Sequence, residues 1–282
     1  MTDNFHRTAC CGALALLATL GGCGGAASGP ALAGSPSLST AVAPSGRFAY
    51  VANANAGDVS AYAIDAASGA LSAVGEPVAT GDTPSAIALA PSGRFAYVAN
   101  LESDDVLAYA IDAASGGLTP VGTRVAAGKA PLGVAVDPSG RFAYVVNDRS
   151  GDVSAYCIDA QTGTLAAIGV PVAAGAAPEA IAIHPGGRFV YVTDVVSSTV
   201  ATFAIDAATG ALSAAAAPVA AGVRPRSITI DGSGAFARVV NSTSGETSVF
   251  AVNAATGTLS ALGRPAADAS VQRRPQRGVV VR

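Results

Sequence analysis

A carboxylate can take a proton from water, and a guanidinium or ammonium can hold the oxyanion that then develops. Glu179, Arg224 and Arg226 bring both types into one part of the chain, with Lys129 and Asp82 upstream. Glu179 is the candidate acid or base. Lys129, Glu179, Arg224, Arg226 and Asp82 are the candidate ligand-binding set, suited to a small anion such as a sugar acid. His184 is the one histidine beyond the first ten residues. Five extended residues at ~3.3 Å each separate its backbone from that of Glu179 by ~16 Å, too far to act on one atom. It is expected to be a turn residue at the opposite end of the same strand. No Gly-x-Ser-x-Gly elbow has a usable histidine, and no His or Cys cluster has metal-ligand spacing. Asn147–Asp152 is rich in side-chain oxygens but copies a turn present in weaker form elsewhere, which argues against calcium. Neither a metal nor a cofactor is expected.

These residues are positioned by a repeat. PSGRFAYVAN runs from Pro44 to Asn53 and again from Pro91 to Asn100, and PSGRFAYVVN from Pro138 to Asn147. Looser copies are PGGRFVYVTD, Pro185–Asp194, and GSGAFARVVN, Gly232–Asn241. The starts at 44, 91, 138, 185 and 232 are all 47 residues apart, and a constant step of this size signals a repeat architecture. Within a copy, Ser-Gly turns the chain, and Phe48–Asn53 alternates as a strand does. Val59–Asp65 alternates again, and Asp65–Gly69 is a turn that the Asp side chain can cap. Ala70–Thr80 is a weaker strand broken at Gly75, and Gly81–Pro84 turns into a fourth, Ala86–Ala90. Each copy thus holds four short antiparallel strands, A (before PSGR), B, C and D, the pattern of a β-propeller blade. The fold class is all-β: five complete blades with partial strands at both ends. No segment carries a helical period long enough to build a helical solenoid.

The strands repeat while some loops vary, and varied loops on a fixed scaffold are where binding residues are placed. The D–A loops and the starts of the following strands carry Asp82, Lys129, Glu179, Arg224 and Arg226. The B–C loops carry Asp58, Glu102, Asp148, Arg149 and Asp194. The opposite face repeats the Ser-Gly-Arg turn and the Asp of the C–D turn, and is read as structural. There Arg47 and Asp65, like Arg94 and Asp112, are expected to pair or to brace the turns.

The chain of 282 residues has a net charge of −3 and 12% charged residues, so it lacks the basic footprint of a nucleic-acid binder. Arg7 precedes an apolar run, Thr8–Leu20, too short to span a bilayer. Leu20-Gly-Gly-Cys23 follows and resembles a bacterial lipobox. Residues 1–22 are therefore read as a lipoprotein signal peptide, Cys23 as the lipidated N-terminus, 23–29 as a tether and 30–282 as the propeller domain. The protein is expected to be exported and held at the cell envelope, touching the membrane through its lipid anchor alone. Cys157 replaces the Ala of other copies and reads as a small buried residue. Pro30–Gly34 resembles a lone D strand and Pro275–Arg282 a further A strand. These two can meet as a sixth blade or leave the ring open.

The motifs P-S-G-R-F-A-Y-V-[AV]-N and V-x-A-Y-x-I-D, the latter at Val59–Asp65, Val106–Asp112 and Val153–Asp159, resemble those of the YVTN-type, lactonase-like seven-bladed β-propellers. The resemblance covers about residues 30–282 and implies 6-phosphogluconolactonase-type enzymes among the relatives. Two readings of function follow. One is an envelope-anchored module that binds or scaffolds a small anionic ligand or a protein partner. The other, implied by the resemblance, is a lactone hydrolase.

Overall fold

The computed structural model describes residues 38–243, 245–263 and 266–267. The expectations for residues 1–37 and 268–282, including Cys23 and both terminal strands, lie outside them. Everything described is strand, turn or loop. The first sheet holds β1 (Leu38–Val42), β2 (Phe48–Asn53), β3 (Asp58–Ile64), β4 (Leu71–Ala73) and β5 (Val78–Ala79). The second holds β6 (Pro84–Leu89), β7 (Phe95–Asn100), β8 (Asp105–Ile111) and β9 (Leu118–Ala126). The third holds β10 (Pro131–Val136), β11 (Phe142–Asn147), β12 (Asp152–Ile158), β13 (Leu165–Ala167) and β14 (Val172–Ala173). The fourth holds β15 (Pro178–Ile183), β16 (Phe189–Asp194), β17 (Thr199–Ile205) and β18 (Leu212–Ala220). The fifth holds β19 (Pro225–Ile230), β20 (Phe236–Asn241), β21 (Glu246–Val252), β22 (Leu259–Ala261) and β23 (Ala266–Ala267). Each sheet is an antiparallel meander in sequence order, and the five are the blades the repeat implies.

The fourth strand is split in blades one, three and five and continuous in blades two and four. The split blades carry both glycine and proline two residues apart: Gly75 and Pro77, Gly169 and Pro171, Gly263 and Pro265. Blade two keeps Gly122 but has Arg124 for the proline, and blade four keeps Pro218 but has Ala216 for the glycine. Losing either lets the ladder continue. Glycine supplies a left-handed bend (φ +63° at Gly75) and proline withholds a ladder donor, so the break needs both.

The inner strands abut in order, β1 on β6, β6 on β10, β10 on β15 and β15 on β19. Between blades sits a latch built from the PSGRFAY copy. The guanidinium of Arg94 lies 5.1 Å from the Phe95 ring centre and donates to the carbonyls of Ala160 and Gln161 in the next blade, both at 3.3 Å. Arg141 does the same to Ala207 and Ala208. The Phe95 ring covers Gly163, where a Cβ would lie 2.3 Å from Cδ1. The hydroxyls of Tyr50, Tyr144 and Tyr191 donate to the carbonyls of Gly116, Gly210 and Gly257 at 2.9–3.0 Å. The expected bracing is therefore real but runs between blades, and Arg47 and Arg94 form no ion pair with Asp65 or Asp112. Asp65 instead caps its own turn, accepting from the amide of Ser68 at 2.8 Å and its hydroxyl at 2.6 Å.

The fifth copy lacks the latch, having Ala235 and Arg238 where Arg and Tyr stand elsewhere. Accordingly β7, β11 and β16 are buried throughout, whereas β20 alternates and leaves Phe236 and Val240 each 40% exposed. At the other end of the arc, Gly69 has no ring over it. Cys157 corrects the sequence reading: it is exposed on β12, because the face it shares with buried Val153 and Ala155 is only partly covered at its end, where even the equivalent Ala63, Ala110 and Ala204 are only partly buried and the longer side chain reaches solvent.

Candidate functional site

The inner strands wall a central channel. Equivalent positions two places into each copy's A strand are Leu38, Ser85, Leu132, Glu179 and Arg226. Four of these strands are bulged next to that position, which frees it from the ladder. A cavity of about 340 Å³ in the channel is lined by Glu179 and Arg226, by the hydroxyl-bearing Ser39, Ser85 and Ser227, and by Ile87, Ile181 and Ile228 below.

Glu179 and Arg226 meet here, with Oε1 3.7 Å from Nε. The Glu179 side chain is 24% exposed and that of Arg226 50%. Burial pushes the Glu179 carboxyl above the usual carboxylate range. Arg226 opposes this, Asp148 adds to it, and Arg224 opposes it more weakly. A half-buried carboxyl of raised affinity for protons, beside a cation in a cavity, is the environment expected of a functional proton-exchanging group. Arg224 itself is exposed at the rim, with φ +57°.

The other candidates do not join this pair. Lys129 is exposed and bound to Asp104 at 2.7 Å, and Arg149 pairs with Glu102 at 3.5 Å. Asp82 is exposed and its amide bonds to Ser103 Oγ at 3.1 Å. His184 is buried at the A–B turn, as its place in the strand requires. Its Nδ1 accepts from the Gly186 amide at 2.9 Å, so Nε2 carries the proton and donates to the Gly234 carbonyl at 3.1 Å. It is a strut between blades four and five. Among the described residues no group of His, Cys, Asp or Glu could hold a metal ion.

The sequence reading undervalued Asp194 by counting it among loop charges. It is 1% exposed. Its Oδ1 accepts from the amides of Val196 and Ser197 at 2.9 and 2.8 Å, and its Oδ2 from that of Ala176 at 2.5 Å. Despite burial, those donors hold its carboxyl below the usual range. The signal was in the sequence: the fourth copy reads Thr193-Asp194 where others read Ala-Asn or Val-Asn.

The solved structures this chain resembles are propellers. A protein from Lactobacillus plantarum is 26% identical with a TM-score of 0.72, over 79% of this chain and 69% of that one. The periplasmic gluconolactonase PpgL of Pseudomonas aeruginosa is 23% identical with a TM-score of 0.70, over 82% and 70%. Hydrazine synthase of Kuenenia stuttgartiensis is 21% identical with a TM-score of 0.60, over 84% and 68%, a likeness of fold alone. No curated protein matches the chain. The family described as "Lactonase, 7-bladed beta-propeller" matches residues 40–179 and 171–272, all five blades, and the chain belongs to that family.

Proposed function

We propose that the protein is a lactone hydrolase that works in the central channel. The observation that carries this is the half-buried Glu179 carboxyl, raised by burial, beside Arg226 in a cavity bordered by serine hydroxyls. Ionised Glu179 takes a proton from a water that attacks the lactone carbonyl. Arg226 steadies the oxyanion of the tetrahedral intermediate. As the ring C–O bond breaks, the proton held by Glu179 passes to the leaving oxygen, giving the open hydroxy acid. Ser39, Ser85 and Ser227 suit the hydroxyls of a sugar lactone, and Arg226 with Arg224 the charge of an acidic one. The family match and the likeness to a gluconolactonase support the same reading. The test is hydrolysis of glucono-1,5-lactone by the protein beside Glu179→Gln and Arg226→Ala. Turnover lost in both variants is expected, and turnover unchanged in Glu179→Gln removes the carboxylate from the reaction.

A binding role without turnover is the second reading, favoured by the fact that Glu179 and Arg226 already satisfy each other. Gluconate binding with no lactone hydrolysis would select it. Export and lipidation at Cys23 are proposed for either reading, on the Leu20–Cys23 lipobox. Cys23→Ser should release the protein from the membrane fraction, and a variant that stays bound refutes the anchor.

A further inference from the structure

We propose that Thr193 and Asp194 are positioning residues that pull the loop before β15 and the start of β15 away from the geometry of the other blades, and so set how Glu179 enters the channel. This rests on the catalytic reading of Glu179.

The repeat supplies its own reference geometry. In the other copies the position of Asp194 is an asparagine whose Nδ2 donates inward, Asn100 to Asp105 at 2.6 Å and Asn147 to Asp152 at 2.7 Å. The loop amide above it then bonds to a serine, Lys129 N to Ser150 Oγ at 2.9 Å. The residue before the proline is left-handed, as at Thr83 (φ 54°), Ala130 (φ 55°) and Arg224 (φ 57°). A carboxylate cannot donate. Asp194 gathers amides instead, and the Ala176 amide leaves the serine position to reach it. Ser197, released, bonds to Thr199 at 2.7 Å, and Thr199 stands where the other copies have Asp or Glu. Ala177 is not left-handed. The turn is taken at Gly175 (φ +137°), where a Cβ would lie 1.8 Å from Asp194 Oδ2, so no other residue fits.

Thr193 extends the change into the strand. In blade three the ladder pairs Pro131 with Asn147 and resumes at Gly133 with Val146, passing over one residue. In blade four it pairs Pro178 with Asp194 and resumes only at Ile181 with Val192, passing over Glu179 and Ala180. The Ala180 amide bonds to Thr193 Oγ1 at 3.0 Å rather than to the ladder. The other copies have Ala52, Ala99, Val146 and Val240 at this place, none with a hydroxyl. The copy that carries the channel carboxylate is therefore the copy whose B strand was rebuilt on both sides of it.

The experiment uses full-length Thr193→Ala, Thr193→Ser, Asp194→Asn and Thr193→Ala with Asp194→Asn. Ala and Asn are residues the repeat already folds with at these positions. Two measurements are made on each: the titration midpoint of the Glu179 carboxyl carbon by NMR, and kcat and KM for glucono-1,5-lactone. The double variant is expected to move the midpoint back toward the ordinary carboxylate range and to lower kcat at least tenfold with KM changed under threefold. Thr193→Ser keeps the hydroxyl and should behave as the parent, and Thr193→Ala should not. If Asp194→Asn does not fold, the Thr193 pair decides alone. An unmoved midpoint in the double variant, or in Thr193→Ala should only the Thr193 pair fold, overturns the proposal whatever the activity. A moved midpoint in a parent protein without turnover upholds the seating and rejects the hydrolase reading instead.

Discussion

Tyr144 and Tyr97 occupy the same place in successive latches and are both fully buried, yet only one has a hydrogen-bond partner. Tyr144 donates to the Gly210 carbonyl at 2.9 Å, whereas the Tyr97 hydroxyl is buried with none. Burial pushes both phenols up, so neither ionises in the working range and replacement by phenylalanine is a test of hydrogen bonding alone. Tyr144→Phe removes a bond worth about 1 kcal/mol net and strands a buried carbonyl for about another 1 kcal/mol. Tyr97→Phe removes a hydroxyl whose burial without a partner costs about 1–3 kcal/mol, and should be neutral or stabilising. The two variants should differ by at least about 2 kcal/mol. With a urea slope of about 2–3 kcal/mol/M, that is a midpoint difference of about 0.7–1 M, read by circular dichroism. Equal losses in both variants would refute the reasoning, because the Tyr97 hydroxyl would then have to be making a bond.

Gly210→Ala should cost on the order of 2 kcal/mol or more, since its Cβ would meet the Phe142 ring at 2.3 Å on a backbone at φ +74°. Gly69→Ala, with similar φ and nothing within 4 Å, should lose only the conformational part, about 1–2 kcal/mol, and equal urea midpoints would count against the latch. Arg94→Ala should cost no more than about 1 kcal/mol, because its contacts are exposed. Glu179→Gln should stabilise at neutral pH and not in acid. The carboxyl is raised in the folded state, so the native protein loses stability as pH rises from the ordinary carboxylate value to the raised one. Urea midpoints at pH 4 and pH 7 test this, and a gap that does not widen at pH 7 is the contrary result. Asp194→Asn has the opposite sign: the lowered carboxyl stabilises above its ordinary value, and that share is lost as pH falls through the folded value.

Most of the fold was legible because each element announces itself within one copy. Alternation marks B and C strands, and Gly75 with Pro77 marks the break in D. The latch was only half legible. Arg94 and its carbonyl partners lie 66 and 67 residues apart, one repeat plus the distance from the A–B turn to the C–D turn, so no pattern inside a copy points to the contact. The same limit explains Cys157, whose exposure depends on how far the neighbouring blade covers the end of a face that is otherwise packed. In the site, Glu179 and Arg226 could be placed at one mouth from their register. That Lys129 is held by Asp104 could not, since the pair joins two blades through loops of different phase.

What the exact copies conceal, the inexact ones reveal. Where a residue repeats, its role is answered by the scaffold. Phe48, Phe95, Phe142 and Phe189 each cover a glycine of the next blade, and nothing about them distinguishes one blade from another. Two copies depart from the pattern, and they do so differently. The fifth loses Arg and Tyr together, which are the latch residues, and it is the copy whose B strand faces no further blade among the described residues. Its changes accord with a B strand that has no following blade to latch among the described residues. The fourth keeps its latch whole, with Arg188 on Ala254 and Ala255 and Tyr191 on Gly257, so no missing contact explains Thr193, Asp194 and Thr199. These three alter the loop end of the strand pair, away from the latch and beside Glu179. A buried carboxylate that takes up backbone amides, and a threonine that withdraws Ala180 from the ladder, weaken regular pairing for no gain in packing. Such a departure belongs to a site rather than to a scaffold, and it falls in the blade that carries the channel carboxylate.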